Sequence, residues 1–280
     1  VIGAGYVGCS ISALLSTDNN VLVHDIDNEK IQSLKNLKSH IGDKEVDDYL
    51  AKNSQNLSYN VNPSCLSSPA DLFVVCTSTD YDPEKQFFDT SSINNVLAVI
   101  HKHHKNPSVL IKSTVPVGYT NSQRIKYDNE NILFSPEFLR EGTAVEDFFK
   151  PDRIVLGGTD SEKLNKLKKL YSDFDCEIIT TDSISSQLIK YLANTYLPLR
   201  LSFVNEATRL IDYSGGNLDD VLKGVGLDNR IGQHYFRPSP SWGGSCFPKD
   251  LVEVNNFYDH EKLNLPLISN IINSNDIHVD

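Results

Sequence analysis

The 280-residue chain contains no methionine, a single tryptophan and five cysteines. The cysteines, Cys9, Cys65, Cys76, Cys176 and Cys246, are scattered, odd in number and without CxxC spacing. They outline neither a disulfide framework nor a zinc site, so no metal is expected and a reducing cytoplasm is the natural setting. Long hydrophobic runs are also missing. No apolar stretch approaches the length of a membrane span, no secretory signal opens the chain, and no membrane partner is expected. Positive charge is scarce. A net charge of −11 argues against nucleic acid as a partner, because a phosphate backbone rewards the opposite sign. An anionic small ligand remains possible if backbone N–H groups and a few local cations hold it. Without methionine, and with Val1 running straight into a glycine motif, the chain reads as a fragment clipped inside its first strand. The closing residues Ile277–Asp280 carry no stop signal for the helix approaching them, so that end also reads as cut.

What is present is a mixed pattern. Val21–His24, Leu72–Cys76, Val109–Ile111, Ile132–Phe134, Ile154–Leu156 and Glu177–Thr180 are short apolar or β-branched runs. Amphipathic stretches such as Ile93–His104 and Ser161–Asp173 lie between them. Alternating βα units with near-continuous apolar strands imply an α/β fold, a doubly wound, mostly parallel Rossmann-type sheet over residues 1–182. Residues 36–68 are expected to hold short helices and a weak strand, and Asp80–Asp89 a polar loop. From Ser183 to Tyr213 no strand signal occurs, and Leu188, Leu192, Leu199, Phe203 and Leu210 follow helical spacing. This predicts one long helix, kinked at Pro198 or lacking one hydrogen bond there. Further helices are expected at Leu218–Lys223, Lys249–Tyr258 and Leu267–Ile277, so that 183–280 forms an all-helical second domain.

Gly3-Ala4-Gly5-Tyr6-Val7-Gly8 follows strand-like Val1-Ile2 and precedes a helical stretch. A lone GxGxxG is a weak signal, but here a second strand ends in Asp25, 22 residues after Gly3. That is where an acceptor for a ribose 2′-OH belongs. Gly3 makes the tight turn, Gly5 lets backbone approach a pyrophosphate, and Gly8 lets the helix pack close to the sheet. The helix N-terminus then faces the phosphates. An acid at 25 repels a 2′-phosphate, so NAD is expected rather than NADP. A second unusual stretch is Ser241-Trp242-Gly243-Gly244-Ser245-Cys246-Phe247-Pro248-Lys249-Asp250. Cys246 sits just before a helix starting near Pro248, with a lysine nearby, and both lower a thiol pKa. A buried thiol in a glycine-rich turn is the equal alternative.

At this point the sequence resembles the UDP-glucose/GDP-mannose dehydrogenase family. The stretches that carry the likeness are GAGYVG at 3–8, TDYDPEKQFFDTS at 79–91, KSTVPVGYT at 112–120, FSPEFLREG at 134–142, IKYLANTY at 189–196, DNRIGQHY at 228–235 and GGSCFPKD at 243–250. They run in the family's order over nearly the whole chain. The resemblance implies an oxidoreductase using two NAD in turn to oxidise C6 of a nucleotide sugar from alcohol to carboxylate. A cysteine captures the aldehyde as a thiohemiacetal and carries the thioester that water hydrolyses. It further implies Cys246 as nucleophile, Lys190 as stabiliser of oxyanions, and Asp250 as its proton-transfer partner. Asn194 is implied as a hydrogen-bond donor to the reacting oxygen, and Glu141 with Thr114 as positioners of the hydrolytic water. Tyr6, Val7, Lys30, Thr79 and Thr114 join Gly3, Gly5, Gly8 and Asp25 around the cofactor. Glu137, Phe138, Leu139, Arg140, Lys190, Asn194, Arg230, Tyr235 and Gly243 would face the substrate, with Arg230 serving the partner subunit of a homodimer built on the central helices. The loops favour UDP-glucose over GDP-mannose or UDP-N-acetylmannosamine. Three departures stand out: Ser241 and Trp242 replace a common glycine and Phe or Tyr, and Pro198 is unusual in the long helix. The family's further nucleotide-gripping domain is not in the chain, which leaves open an NAD-binding piece that turns nothing over. A two-electron hydroxyacid-type dehydrogenase, which needs no cysteine, is the competing enzyme class.

Overall fold

The structure, a computed structural model, describes residues 1–82, 87–140, 144–244, 247–260 and 262–279. Two compact units divide the chain: Val1–Asp80 with Phe88–Lys190, and Tyr81–Phe87 with Tyr191–Asp280.

In the first unit, short apolar runs become the strands, and the central ones are buried on both faces. β1 (Val21–His24) pairs in parallel with β2 (Leu57–Asn60). β3 (Phe73–Val75), β6 (Val109–Ile111) and β7 (Ile132–Phe134) form a parallel run. β8 (Arg153–Gly157) joins β7 antiparallel, and β9 (Glu177–Thr181) lies parallel to β8. Ile2 bridges His24 on one side and Val75 on the other, joining the two sets into one sheet. The alternation of side chains is plain along β3, β6 and β7. Phe73, Val75, Val109, Ile111, Ile132 and Phe134 pack on α4 (Ser91–His103) through Ile93, Leu97 and Ile100. Val74, Leu110 and Leu133 turn the other way, toward Ile11 of α1 (Tyr6–Leu15) and Leu164 and Leu167 of α7 (Ser161–Lys169). With a helix on each face, every position of β3, β6 and β7 is buried, so these three strands read as unbroken apolar runs. A third cluster, including Val21, Val23, Leu34 and Val46, packs α1, β1, α2 (Asn28–Lys35) and α3 (Lys44–Lys52). Asp27, Asp43 and Asp160 cap α2, α3 and α7 by accepting from two backbone N–H groups each.

One sequence expectation changes. The Asp80–Asp89 segment is not simply a polar loop: β4 (Tyr81–Asp82) and β5 (Phe87–Phe88) pair as a small sheet, and Phe88 is fully buried. A buried aromatic in a polar stretch gives no periodic signal, which is why it was not expected. The expected long helix is α8 (Ser183–Ser214), a single helix with Pro198 inside it. Its first turns belong to the first unit. Gln187 accepts from the Gly118 N–H at 2.8 Å and donates to Thr120 Oγ1 at 2.9 Å, while Arg124 donates to Ser183 Oγ at 2.7 Å. α5 (Tyr119–Tyr127) supplies those partners, and α6 (Ala144–Phe149) precedes β8.

The second unit holds the rest of α8, α9 (Leu218–Gly226), α10 (Phe247–His260) and α11 (Pro266–Val279). Trp242 packs with Leu251 and Ile271, and Val204 and Ile211 pack with Leu222 and Phe236. Among the described residues no helix is long and apolar enough to cross a membrane.

Gly157 tests how α8 is seated. A Cβ there would stand 2.0 Å from Ser186 Oγ and 2.7 Å from its Cβ. Gly157→Ala is therefore expected to destabilise the first unit by about 1–3 kcal/mol, read as a lowered denaturant midpoint at unchanged slope.

Candidate active site

The glycine turn is built by contact. Gly3 has φ +96°, and a Cβ on it would lie 2.6 Å from the Cys76 carbonyl oxygen. A Cβ on Gly8 would lie 1.8 Å from the Gly3 oxygen. Around Gly5 nothing comes within 4 Å of that position. Thus two glycines are demanded by packing and the third leaves open space. No side chain caps α1, whose N-cap is Gly5, so its first N–H groups are left for an external acceptor. A pyrophosphate fits this cradle. Asp25 closes its edge: one carboxylate oxygen accepts from the Ala4 N–H at 2.7 Å, the other from the Asp27 N–H at 2.8 Å, and Lys30 Nζ lies 4.0 Å away. Tyr6 is half exposed at the helix start and Val7 follows it. Thr79 donates to the Thr114 carbonyl at 2.8 Å, which ties together the segments after β3 and β6. Burial pushes the Cys9 and Cys76 thiols beside this turn up to about 12.

The segment after β7 carries Glu137, Phe138, Leu139 and Arg140. Lys190, nearly buried, donates to the Glu137 carbonyl at 2.7 Å and lies 5.4 Å from the Phe138 ring centre. Arg140 is held by Asp147, with Nη2 at 2.5 Å and Nε at 3.0 and 3.1 Å from the carboxylate. Glu137 is itself ion-paired, to a buried lysine that sequence reasoning passed over: Lys112 Nζ stands 2.5 Å from its Oε1. Lys112 opens the KSTVPVGYT stretch, and a lysine placed directly after an apolar strand was the available signal.

In the second unit, Asp250 is completely buried. Its Oδ2 accepts from Asn194 Nδ2 at 2.6 Å and its Oδ1 pairs with Lys249 Nζ at 2.8 Å. Tyr191 next to it is pushed well above the usual tyrosine range by burial first, then by the Asp250 and Glu253 charges. Asn194 and Asp250 are thus brought together, as are Thr79 with Thr114 and Lys190 with Glu137. Other expected substrate residues are not yet engaged. Arg230 is exposed and forked onto Asp228 at 2.6 Å, which holds the Asp228 carboxyl below its ordinary range. Tyr235, at φ +55°, and Gly243 are solvent-facing. Trp242 turns inward instead: its indole N–H donates to Ser202 Oγ at 2.8 Å. Glu141 and Cys246 lie outside the described residues. Among the described residues no group of three or more His, Cys, Asp or Glu side chains is placed to hold a metal.

Residues 1–175 match the NAD binding domain of the UDP-glucose/GDP-mannose dehydrogenase family, and residues 184–277 its central domain. The chain is 40% identical to the UDP-glucose 6-dehydrogenase of Campylobacter jejuni over 99% of its own length and 71% of that protein's. It is 32% identical to the UDP-glucose 6-dehydrogenase of Streptococcus pneumoniae, over 100% of the chain and 73% of the relative. A UDP-glucose dehydrogenase structure from the hyperthermophilic archaeon Pyrobaculum islandicum superposes with a TM-score of 0.89 at 28% identity, covering 99% of this chain and 67% of that one.

Asp25→Ala removes the carboxylate at the edge of the glycine turn. NAD affinity is expected to fall by about 1.5–3 kcal/mol, the worth of a hydrogen bond to a charged group, while NADP affinity falls less or rises. Titration with each dinucleotide checks it; an unchanged NAD-to-NADP ratio counts against Asp25 as the discriminator.

Proposed function

Because the chain belongs to the UDP-glucose/GDP-mannose dehydrogenase family, and its first domain is therefore an NAD-binding one, we propose that the whole protein oxidises UDP-glucose to UDP-glucuronate. The observation that carries the substrate choice is the set of relatives, 32–40% identical over nearly the whole chain, that bear the name UDP-glucose 6-dehydrogenase. The GDP-mannose and UDP-N-acetylmannosamine dehydrogenases are fold relatives at 24% and 22% identity.

NAD supplies the hydride acceptor for both oxidations. The protein's share is to bind, orient and move protons. Lys190 is proposed to steady the alkoxide formed at C6 and the later tetrahedral oxyanions, a role suited to a nearly buried ammonium already fixed by a main-chain carbonyl. Asn194 and the buried Asp250, hydrogen-bonded to one another, are proposed to share that oxygen and its proton. The Cys246 thiolate adds to the aldehyde, forming a C–S bond. Loss of hydride from that adduct leaves a thioester, and water positioned by Glu141 and Thr114 breaks the C–S bond, releasing carboxylate and thiolate. Glu137 through Arg140, with Arg230, Tyr235 and Gly243, are proposed to hold the sugar and phosphates. The domain boundary is proposed at Asp182/Ser183. The cytoplasm is the proposed compartment, a reading supported by four free cysteines among the described residues.

A homodimer through the central helices is supported by a stripe along α8. Tyr196, Phe203 and Leu210 recur every seven residues, and Leu192 precedes them by four. All four are large, apolar and about half or more exposed. Such a stripe on one helix marks a face awaiting a partner.

Four measurements test this. Purified whole protein should turn over UDP-glucose in preference to GDP-mannose and UDP-N-acetylmannosamine; equal or better use of GDP-mannose sinks the substrate choice. Cys246→Ser should keep NAD binding and lose acid production, and iodoacetamide at neutral pH should label Cys246 ahead of the others, since burial raises the Cys9, Cys65, Cys76 and Cys176 thiols. Phe203→Glu with Leu210→Glu should convert the dimer to monomer in light scattering.

A further inference from the structure

Lys112 directly follows β6, and its side chain is 1% exposed. Its Nζ lies 2.5 Å from Glu137 Oε1, 3.1 Å from Ser135 Oγ and 3.3 Å from the Tyr171 hydroxyl. An ammonium has three hydrogens, and three acceptors surround this one. Burial works against its charge, but Glu137 and then Tyr171 outweigh that cost and hold it above the ordinary lysine range. The cation is therefore retained inside the domain.

Glu137 connects this cation to a second one. Its side chain is bound to Lys112, and its main-chain carbonyl accepts from Lys190 at 2.7 Å. The link between the two lysines is stiff. Ser135 N–H donates to the Ile111 carbonyl at 2.9 Å, next to Lys112 in sequence. Ser135 Oγ and Glu137 Oε1 then meet the same ammonium from either side of Pro136, whose ring fixes its own φ. Two side-chain anchors flanking a proline leave the Glu137 carbonyl little freedom to swing.

We propose that Lys112 is a positioning residue for the oxidation: through Ser135 and Glu137 it fixes the carbonyl that holds the Lys190 ammonium. This rests on the reading of Lys190 as the oxyanion-stabilising cation. Lys112 itself touches neither substrate nor cofactor in this role. A cation kept only for stability would affect folding and expression; a positioning cation affects turnover in the folded enzyme, and only while Lys190 is there to be positioned.

The test is a double-mutant cycle in the whole protein, followed by kcat, by KM for UDP-glucose and by NAD affinity. Lys112→Met should lower kcat about 10- to 100-fold, the cost of displacing a reacting group by around an ångström, with KM and NAD affinity within about threefold. Lys112→Arg, which restores a cation with several donors, should recover most of the loss. Lys190→Ala should lower kcat by about 100- to 1000-fold, and adding Lys112→Met to it should cost nothing further. Equal losses from Lys112→Met in both backgrounds, or no loss in either, overturn the positioning role alone. Full activity in Lys190→Ala overturns the underlying reading of Lys190 and the positioning role with it. If Lys112→Met does not fold, Ser135→Ala, which removes one of the two anchors and leaves the Lys112–Glu137 pair in place, takes its position in the cycle, with a smaller kcat loss that again disappears in the Lys190→Ala background.

Discussion

The first unit depends on one joint in its backbone. Ile2 donates its N–H to Val74 and accepts from Cys76, while Gly3 donates to His24 and His24 to Val1. These four bonds stitch the β1–β2 pair to the rest of the sheet through a segment three residues long. They also decide where the chain leaves the sheet. Gly3 begins the turn at the point where the ladder ends, with the Cys76 carbonyl already against the space a side chain would need. The phosphate cradle is thus a continuation of sheet hydrogen bonding. Asp25, one residue beyond β1, reaches it because the same joint holds β1 alongside. A ligand meeting this turn finds N–H groups whose orientation was set by the fold, so little ordering cost remains at binding.

The electrostatics follow a related economy of placement. The chain carries a net charge of −11, yet two lysines, Lys112 and Lys190, are buried and a third, Lys249, is half-buried. Each faces a defined acceptor: Glu137, the Glu137 carbonyl, and Asp250. Removing a charge from water is expensive unless such partners are arranged in advance. The result is a protein whose surface is acidic while its reactive regions hold fixed cations, and the surface charge says little about what those regions bind.

Much of the fold was legible because burial on both sheet faces writes itself into sequence as uninterrupted apolar runs. Val109–Ile111 and Ile132–Phe134 are the plainest cases. The glycine turn was legible because steric demand leaves no alternative residue at Gly3 and Gly8. Phe88 was not, because one buried ring in a polar segment makes no pattern. Nor was Lys112: a lone lysine looks solvated until the fold brings Ser135 and Glu137 from one segment and Tyr171 from another around it. Asn194 and Asp250 were expected from motif resemblance, but their hydrogen bond across 56 positions of sequence is a tertiary fact.

Trp242 has a consequence of a different kind. It is the only tryptophan in the chain, and it is buried among α8, α10 and α11 residues with its N–H engaged. The NAD-binding unit contains tyrosines but no indole. Red-edge excitation therefore illuminates the helical unit alone, at one site next to the glycine turn that leads into GGSCFPKD. The native chain carries its own optical reporter, and any loosening of the helical packing would register there without a label.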